Sequence, residues 1–284
     1  MPSDSDDGGK TWSERGGMAM AALAETWGSL AVACDDPSEG QWGTPTACPG
    51  WSVRDQLSHL IGIERSLEGE PTPPWEDPLG SHVKTPFAEG NEKWIAVRRA
   101  GPGRAVLDEF IEVTNRRLST LAALTEAAWA QLGPSPVGQV PYAEFMRVRV
   151  FDCWVHEQDV RLALGRPGGT GGSASAIALG QVEAAMGFVV GKQAAAPEGA
   201  VVCFSLSGPA HDAREITIAV DGGRARPAPT GTRPTVRLRL SSLDFLRLGC
   251  GRVTAEAVDT PERVVIEGDQ VLGRQVLGAM NFMF

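Results

Sequence analysis

Apolar residues recur at helical spacing through most of the first 195 positions. From 14 to 34 they return loosely every three or four residues, which predicts a first helix that ends at Asp35-Asp36-Pro37. A second helix is predicted to begin after Ser52, which suits an N-cap because Asp55 follows three positions later. Further helical patterns cover 87–97, 104–124, 142–164 and 173–195.

The pattern changes beyond Gly199. Apolar and polar positions now alternate, as in Val236, Leu238 and Leu240 around Arg237 and Arg239, which is typical of half-buried strands. Short helices are predicted at 242–248 and 270–277. We therefore expect a two-domain protein, all-α followed by α+β: a disordered tail over 1–13, a helical bundle over 14–197 and a small α+β domain over 198–284.

Composition narrows the classes of partner and the compartment. The formal net charge of -9 disfavours nucleic acid and anionic membranes, since both require a basic surface. Five scattered cysteines without a CxxC pair indicate reduced thiols rather than a disulfide framework. The acidic N-terminus lacks the features of a signal peptide, and no apolar run reaches 18 residues, so we expect a cytoplasmic protein that does not enter a membrane. The sequence carries no signal for an oligomeric state.

Asp152 and His156 are the strongest candidates for chemistry. Residues four apart share one face of a helix, so both side chains can reach the same ion, and His59 on the second predicted helix can supply a third ligand. Three protein ligands with an open fourth position are typical of a catalytic zinc site. Spacing alone leaves two alternatives open, a helix-surface ion pair and a buried histidine with ordinary hydrogen bonds.

Three neighbouring residues have candidate supporting roles. Asp55 either caps its helix or accepts the ring N–H of His59 that faces away from a metal. Asp159, one turn after His156, is expected to support the ligands in the same way. Arg149 either binds a carboxylate of the cofactor or substrate, or forms an ion pair with Asp152. The proline-rich stretch 71–86 predicts a long loop over such a site, and His82 within it is expected to face solvent.

Two motifs resemble those of a known family. The stretch Thr46-Ala47-Cys48-Pro49-Gly50-Trp51-Ser52-Val53-Arg54-Asp55, continuing to His59, resembles the CPGW-containing opening of the mycothiol-dependent maleylpyruvate isomerase family. The later block Trp154-Val155-His156-Glu157-Gln158-Asp159-Val160-Arg161 resembles a second block of that family, and the segments 266–269 and 281–284 resemble its ending. The resemblance covers nearly the whole chain.

The resemblance implies a DinB-like four-helix bundle followed by a sterol-carrier-like domain. It also implies zinc or a similar divalent metal held by His59, Asp152 and His156, and mycothiol, the sugar-linked thiol of actinobacteria, as cofactor. One position departs from the family, because the isomerases proper use glutamate where this chain has Asp152. Aspartate is one methylene shorter, so the ion or the helix must shift, although zinc accepts either carboxylate.

The expected activity is therefore that of an isomerase or S-transferase. A metal-activated thiol would attack an electrophilic small molecule, and the adduct would either revert with a rotated double bond or be released. Two alternatives remain from the residues themselves: a metal-dependent hydrolase, in which water takes the place of the thiol, and a non-catalytic binding protein that keeps the fold.

Overall fold

The computed structural model describes residues 9–209, 213–229 and 231–283, and it divides into two compact units. The first contains the described residues up to Gly169, and the second begins at Thr170. The expected fold class, a helical bundle followed by a small α+β domain, is confirmed.

Four long helices build the first unit. Its helices are, in chain order, α1 (Trp12–Ala33), α2 (Glu39–Trp42), α3 (Val53–Leu67), α4 (Pro86–Arg99), α5 (Gly103–Ala122), α6 (Glu126–Ala130) and α7 (Tyr142–Leu164). Helices α1 and α3 each pack against both α5 and α7, which closes a four-helix bundle, and α4 lies against α3. The core between them is filled by fully buried side chains such as Leu23, Leu57, Leu60, Phe110 and Met146.

Helix ends follow local chemistry. Ser52 and Asp55 form the predicted capping box of α3, and the left-handed Gly165 (φ 63°) ends α7. A second capping box, Thr11 with Glu14, starts α1 at Trp12, two residues before the predicted start. The end of the expected disordered tail is thus ordered, while its residues 1–8 lie outside the described part of the chain.

A short hairpin occupies the proline-rich break before α7. Strand β1 (Leu132–Ser135) pairs antiparallel with β2 (Gly138–Pro141), and the N–H of Tyr142 then donates to the carbonyl of Gln131 at 2.9 Å. The sequence does not predict this hairpin, because the prolines within so short a segment obscure the alternation of its strands.

The second unit contains a five-stranded sheet in the order β5-β4-β3-β6-β7, in which only β3 and β6 are parallel. Its strands are β3 (Val201–Ser207), β4 (Arg214–Asp221), β5 (Arg224–Pro227), β6 (Val236–Ser241) and β7 (Val264–Gly268). The helices are α8 (Ser173–Phe188), which continues as one π-helical turn over Val189–Gln193, then α9 (Ser242–Gly249), α10 (Ala255–Val258) and α11 (Gln270–Gly278). The predicted alternation in β6 is confirmed: Leu238 is fully buried, whereas Arg237 and Arg239 point outward and pair with glutamates.

Helix α8 belongs to this second unit, whereas the bundle predicted from the sequence extends to 197. It packs against β4, β5 and α9. Gly187 permits a close approach to β5, since a Cβ at this position would lie only 3.1 Å from the carbonyl oxygen of Ala225. An alanine-rich apolar helix fits either domain equally well by composition, so its sequence could not indicate which one covers it.

The same segment, Ser173–Gln193, is long and apolar enough to cross a membrane by length and composition. Half of it is buried within the unit, as in the core helix of a folded domain.

Candidate functional site

The three predicted metal ligands meet between α3 and α7. His59 lies in the middle of α3, and Asp152 and His156 lie one turn apart on α7. One ligand atom from each residue falls within 4.8 Å of the others. Asp152 joins the two histidines, with Oδ2 3.5 Å from Nε2 of His59 and Oδ1 3.4 Å from Nε2 of His156. Both imidazoles are buried, whereas 29% of the Asp152 side chain is exposed.

His59 is a neutral base with unused ring nitrogens. Neither Nδ1 nor Nε2 makes a hydrogen bond to any described residue, since the approach of Asp152 lacks hydrogen-bond geometry. Burial lowers the pKa of His59 to about 4, against the opposing effect of the Asp152 carboxylate. Buried polar atoms without a partner are rare in proteins, so the unprotonated nitrogen of His59 suits a ligand such as a metal ion.

His156 is held by a residue that sequence reasoning missed. Its Nδ1 forms a short hydrogen bond with Oε1 of Gln56, and Oδ2 of Asp159 lies farther away, at 3.7 Å. Asp159 is thus near the place expected for it, but Gln56 makes the closer contact. Gln56 precedes His59 by three positions on α3, so their shared helix face was the available signal.

The charges around His156 decide its protonation. Burial, the largest single effect, lowers its pKa, but the Asp152 carboxylate and then Asp159 outweigh burial and raise it. For Asp152, burial favours the neutral acid, but the Arg149 guanidinium and then His156 hold its pKa well below the usual range. The carboxylate is therefore ionised and available as a ligand.

Arg149 pairs with two acidic residues of the bundle. Its side chain is buried, and it donates to Oε1 of Glu64 from Nε at 3.1 Å and from Nη2 at 2.7 Å. Nη1 donates to Oδ2 of Asp152 in a short ion pair. Of the two roles left open for Arg149, this geometry favours the ion pair with Asp152, and binding of a cofactor carboxylate stays a prediction.

Asp55 acts as a helix cap and not as a partner of His59. Its Oδ2 accepts from the backbone N–H of Ser52 at 2.9 Å and from its hydroxyl at 3.0 Å, while Oδ1 accepts from Nε of Arg99 at 3.1 Å. Both oxygens are occupied, and Nδ1 of His59 has no hydrogen-bond partner among the described residues. Of the two roles left open for Asp55, the structure therefore shows the cap, which satisfies a backbone N–H at the start of the helix.

Trp51 covers the site. Its ring centroid lies 5.0 Å from that of His59 and 5.7 Å from that of His156. The indole N–H donates to Oε2 of Glu92 at 3.0 Å, and the same oxygen lies 3.1 Å from Nε2 of His82. His82 is thus half-buried against a glutamate and does not face solvent as expected. Glu92 stands in no motif, so nothing in the sequence singled it out.

This donor set, two imidazole nitrogens and a carboxylate, suits zinc and similar divalent ions. It is the one cluster of three or more such side chains with this spacing in the described ranges. A tetrahedral ion held by these three residues would keep a fourth coordination position for a small molecule.

Comparison with known proteins agrees with this architecture. Residues 23–161 match the family model of the mycothiol maleylpyruvate isomerase N-terminal domain, and residues 189–281 match that of the SCP-2 sterol transfer family. No curated protein matches the chain significantly.

Two solved structures resemble the chain over most of its length. A crystal structure of the mycothiol-dependent maleylpyruvate isomerase is 17% identical, with a TM-score of 0.56, and the match covers 91% of this chain and 93% of that one. A mutant of that isomerase in which alanine replaces a histidine has the same identity and coverage, with a TM-score of 0.51. At this identity the likeness establishes the fold.

Proposed function

Because the chain belongs to the mycothiol-dependent maleylpyruvate isomerase family, we propose that it is a metal-dependent enzyme that uses mycothiol. Its substrate would be an electrophilic small molecule, which it either isomerises or joins to the thiol. The solved relatives that it resembles carry the name of a mycothiol-dependent maleylpyruvate isomerase, which makes an activated cis double bond the first acceptor to test.

The observation that carries the proposal is the convergence of His59, Asp152 and His156. Their ligand atoms lie together, the His59 nitrogens have no other partner in the described part of the chain, and Asp152 is ionised. The metal would be held by these three side chains. When bound, a divalent ion supplies Lewis acidity, which lowers the pKa of a coordinated thiol into the physiological range.

The surrounding residues prepare the site for that use. Burial keeps His59 neutral, so the one ring nitrogen that carries a lone pair stays unprotonated near neutral pH. The Trp51 ring covers both imidazoles and limits the access of water from its side, which strengthens electrostatic interactions there. The partly exposed Asp152 marks the open side, where cofactor and acceptor would enter.

Asp152 also bears on the choice of acceptor. The isomerases proper place a longer carboxylate at this position, and here Arg149 restrains the shorter one. We therefore propose an acceptor that differs from maleylpyruvate in size or shape, with the same use of a thiol.

Two measurements test the proposal. Protein purified without chelators should contain about one zinc or similar ion per chain, and His59→Ala should remove it. The cobalt-substituted protein should change its visible spectrum when mycothiol is added but not when S-methylated mycothiol is added. Metal-free protein that takes up no ion on soaking would sink the proposal, whereas metal without a response to the thiol would favour the hydrolase.

A further inference from the structure

The hydroxyl of Thr46 has a fully determined set of hydrogen bonds. Oγ1 lies 2.9 Å from the carbonyl oxygen of Trp51, and a carbonyl oxygen can only accept. The backbone nitrogen of Cys48 lies 3.3 Å from Oγ1, and its N–H can only donate. A hydroxyl has one hydrogen and two lone pairs. With its hydrogen given to Trp51, Thr46 can only accept from its third neighbour, the side-chain amide of Gln56 at 2.6 Å.

This assignment orients the Gln56 amide. Its NH₂ end must face Thr46, so its carbonyl end faces the imidazole of His156, where Oε1 meets Nδ1. A carbonyl oxygen only accepts, hence Nδ1 carries the hydrogen. In the neutral ring the other nitrogen, Nε2, then keeps its lone pair, and this is the atom that lies 3.4 Å from Oδ1 of Asp152 within the ligand cluster.

We propose that Thr46 and Gln56 are positioning residues that fix the tautomer of His156 so that Nε2 is the nitrogen free to bind metal. The hydrogen bonds run in one direction, from His156 to Gln56, to Thr46 and to the Trp51 carbonyl. The functional value of this arrangement rests on the metal site proposed above, but the tautomer is a property of the chain itself. Fixing the tautomer beforehand removes the cost of shifting a proton when an ion arrives.

Asp159 offers the competing explanation. Its Oδ2 lies 3.7 Å from Nδ1 of His156 and also attracts a hydrogen on that atom. If Asp159 alone set the tautomer, changes at Thr46 and Gln56 would leave the ring unaffected. The two explanations therefore predict opposite responses to substitution.

The first measurement reads the tautomer directly in metal-free protein. A long-range ¹H–¹⁵N NMR spectrum at alkaline pH, with the His156 signals assigned by their loss in His156→Ala, should place the hydrogen on Nδ1 in the wild type. Gln56→Met, which keeps the volume but removes both polar ends, and Thr46→Val, which removes only the hydroxyl, should each give a mixture of tautomers. Thr46→Ser should restore the wild-type pattern.

The second measurement is zinc affinity by competition with a chelator. Gln56→Met should weaken zinc ~10–100-fold, the usual effect of losing the residue that holds a histidine ligand, and Thr46→Val should weaken it in the same direction. Thr114→Val is the matched control, since it removes a buried hydroxyl that donates to Phe110 O at 2.8 Å on α5, away from the ligands. It should leave both readouts unchanged.

Two results would overturn the proposal. One is a wild-type His156 with its hydrogen on Nε2 or shared evenly. The other is an unchanged tautomer in Thr46→Val and Gln56→Met together with a changed one in Asp159→Asn. A wild type that binds no zinc but keeps the hydrogen on Nδ1 would instead refute the proposed function and leave the tautomer assignment intact. If one variant fails to fold, the other decides.

Discussion

At the scale of single residues, the two oxygens of the Asp152 carboxylate face different groups. Oδ2 faces Arg149 and His59, while Oδ1 faces His156. Because Arg149 restrains one oxygen, the orientation of the carboxylate is fixed and its charge is maintained in a site that is otherwise largely buried. The ion pair with Arg149 therefore orients this candidate ligand before any ion binds.

Two substitutions at Asp152 distinguish the effect of its negative charge from that of its side-chain length. Asp152→Ala should weaken zinc more than about 100-fold, because losing a ligand costs more than losing a residue that supports one. Asp152→Glu should keep the metal, since zinc accepts either carboxylate, and should shift acceptor preference toward maleylpyruvate. Chelator competition and turnover with maleylpyruvate measure the two effects. Equal zinc affinity in wild type and Asp152→Ala would show that this position is not a ligand.

The two histidines should give zinc binding a pH dependence of one proton. His156, with its raised pKa, takes up a proton as the pH falls, and that proton competes with the metal for the ring. Zinc affinity should therefore fall ~tenfold per pH unit below that pKa. His59 adds a second proton only near its pKa of about 4. Between these two pKa values, the logarithm of the zinc affinity plotted against pH should have a slope of one. A slope of two at mildly acidic pH would contradict the neutral state of His59.

At the scale of elements, Glu64 links three helices of the bundle through buried ion pairs. From α3 it binds Arg149 on α7 and, through Oε2 at 3.0 Å, Nε of Arg117 on α5. All three side chains are buried. Breaking a buried pair leaves an uncompensated charge, which costs more than the pair itself contributes. The position of α7, and with it two of the three ligands, depends on this contact.

Glu64→Gln should lower the free energy of unfolding by ~3–5 kcal/mol, because two buried guanidinium groups lose their shared carboxylate. The matched control is Glu68→Gln, at the C-terminal end of the same helix, whose pair with the more exposed Arg116 should be worth under ~1 kcal/mol. Urea unfolding of the two variants and the wild type measures the difference. Equal effects would mean that the Glu64 cluster does not hold the helices.

Residue spacing explains which parts of the site the sequence could predict. Asp152 and His156 were found because a helix fixes the relation of residues four apart. From the residues alone, His59 was only a possible third ligand, because helical periodicity does not specify which helices become neighbours. The family resemblance was what selected it. The roles of Gln56 and Glu64 were not predicted, because a glutamine or a glutamate on an amphipathic helix is normally solvated. Only tertiary packing shows that these two side chains are buried.

At the scale of the whole molecule, the site belongs to one unit. The first compact unit ends at Gly169, and it contains the three candidate ligands together with Gln56 and Arg149, which contact them. Composition did not predict this boundary, because it does not indicate which unit α8 packs into. The change from helical to alternating periodicity near 199 did predict the two fold classes.

A chain truncated after Gly169 should therefore fold, unfold cooperatively and bind zinc with the affinity of the full chain, since every contact described around the ligands is retained. Circular dichroism and chelator competition test this, with the same truncation carrying His59→Ala as the control for adventitious binding. A truncated chain that folds but no longer takes up zinc would show that residues after 169 contribute to the site.

The short distance between the Trp51 ring and both imidazoles also gives the chain its own optical probe. An indole whose ring centroid lies 5.0 Å and 5.7 Å from two candidate ligands is close enough for a bound cobalt or copper ion to quench its emission. The fluorescence lost on adding cobalt should be the part that Trp51→Phe removes beforehand. Occupancy of the site can then be followed in real time, without an added dye and without turnover of a substrate.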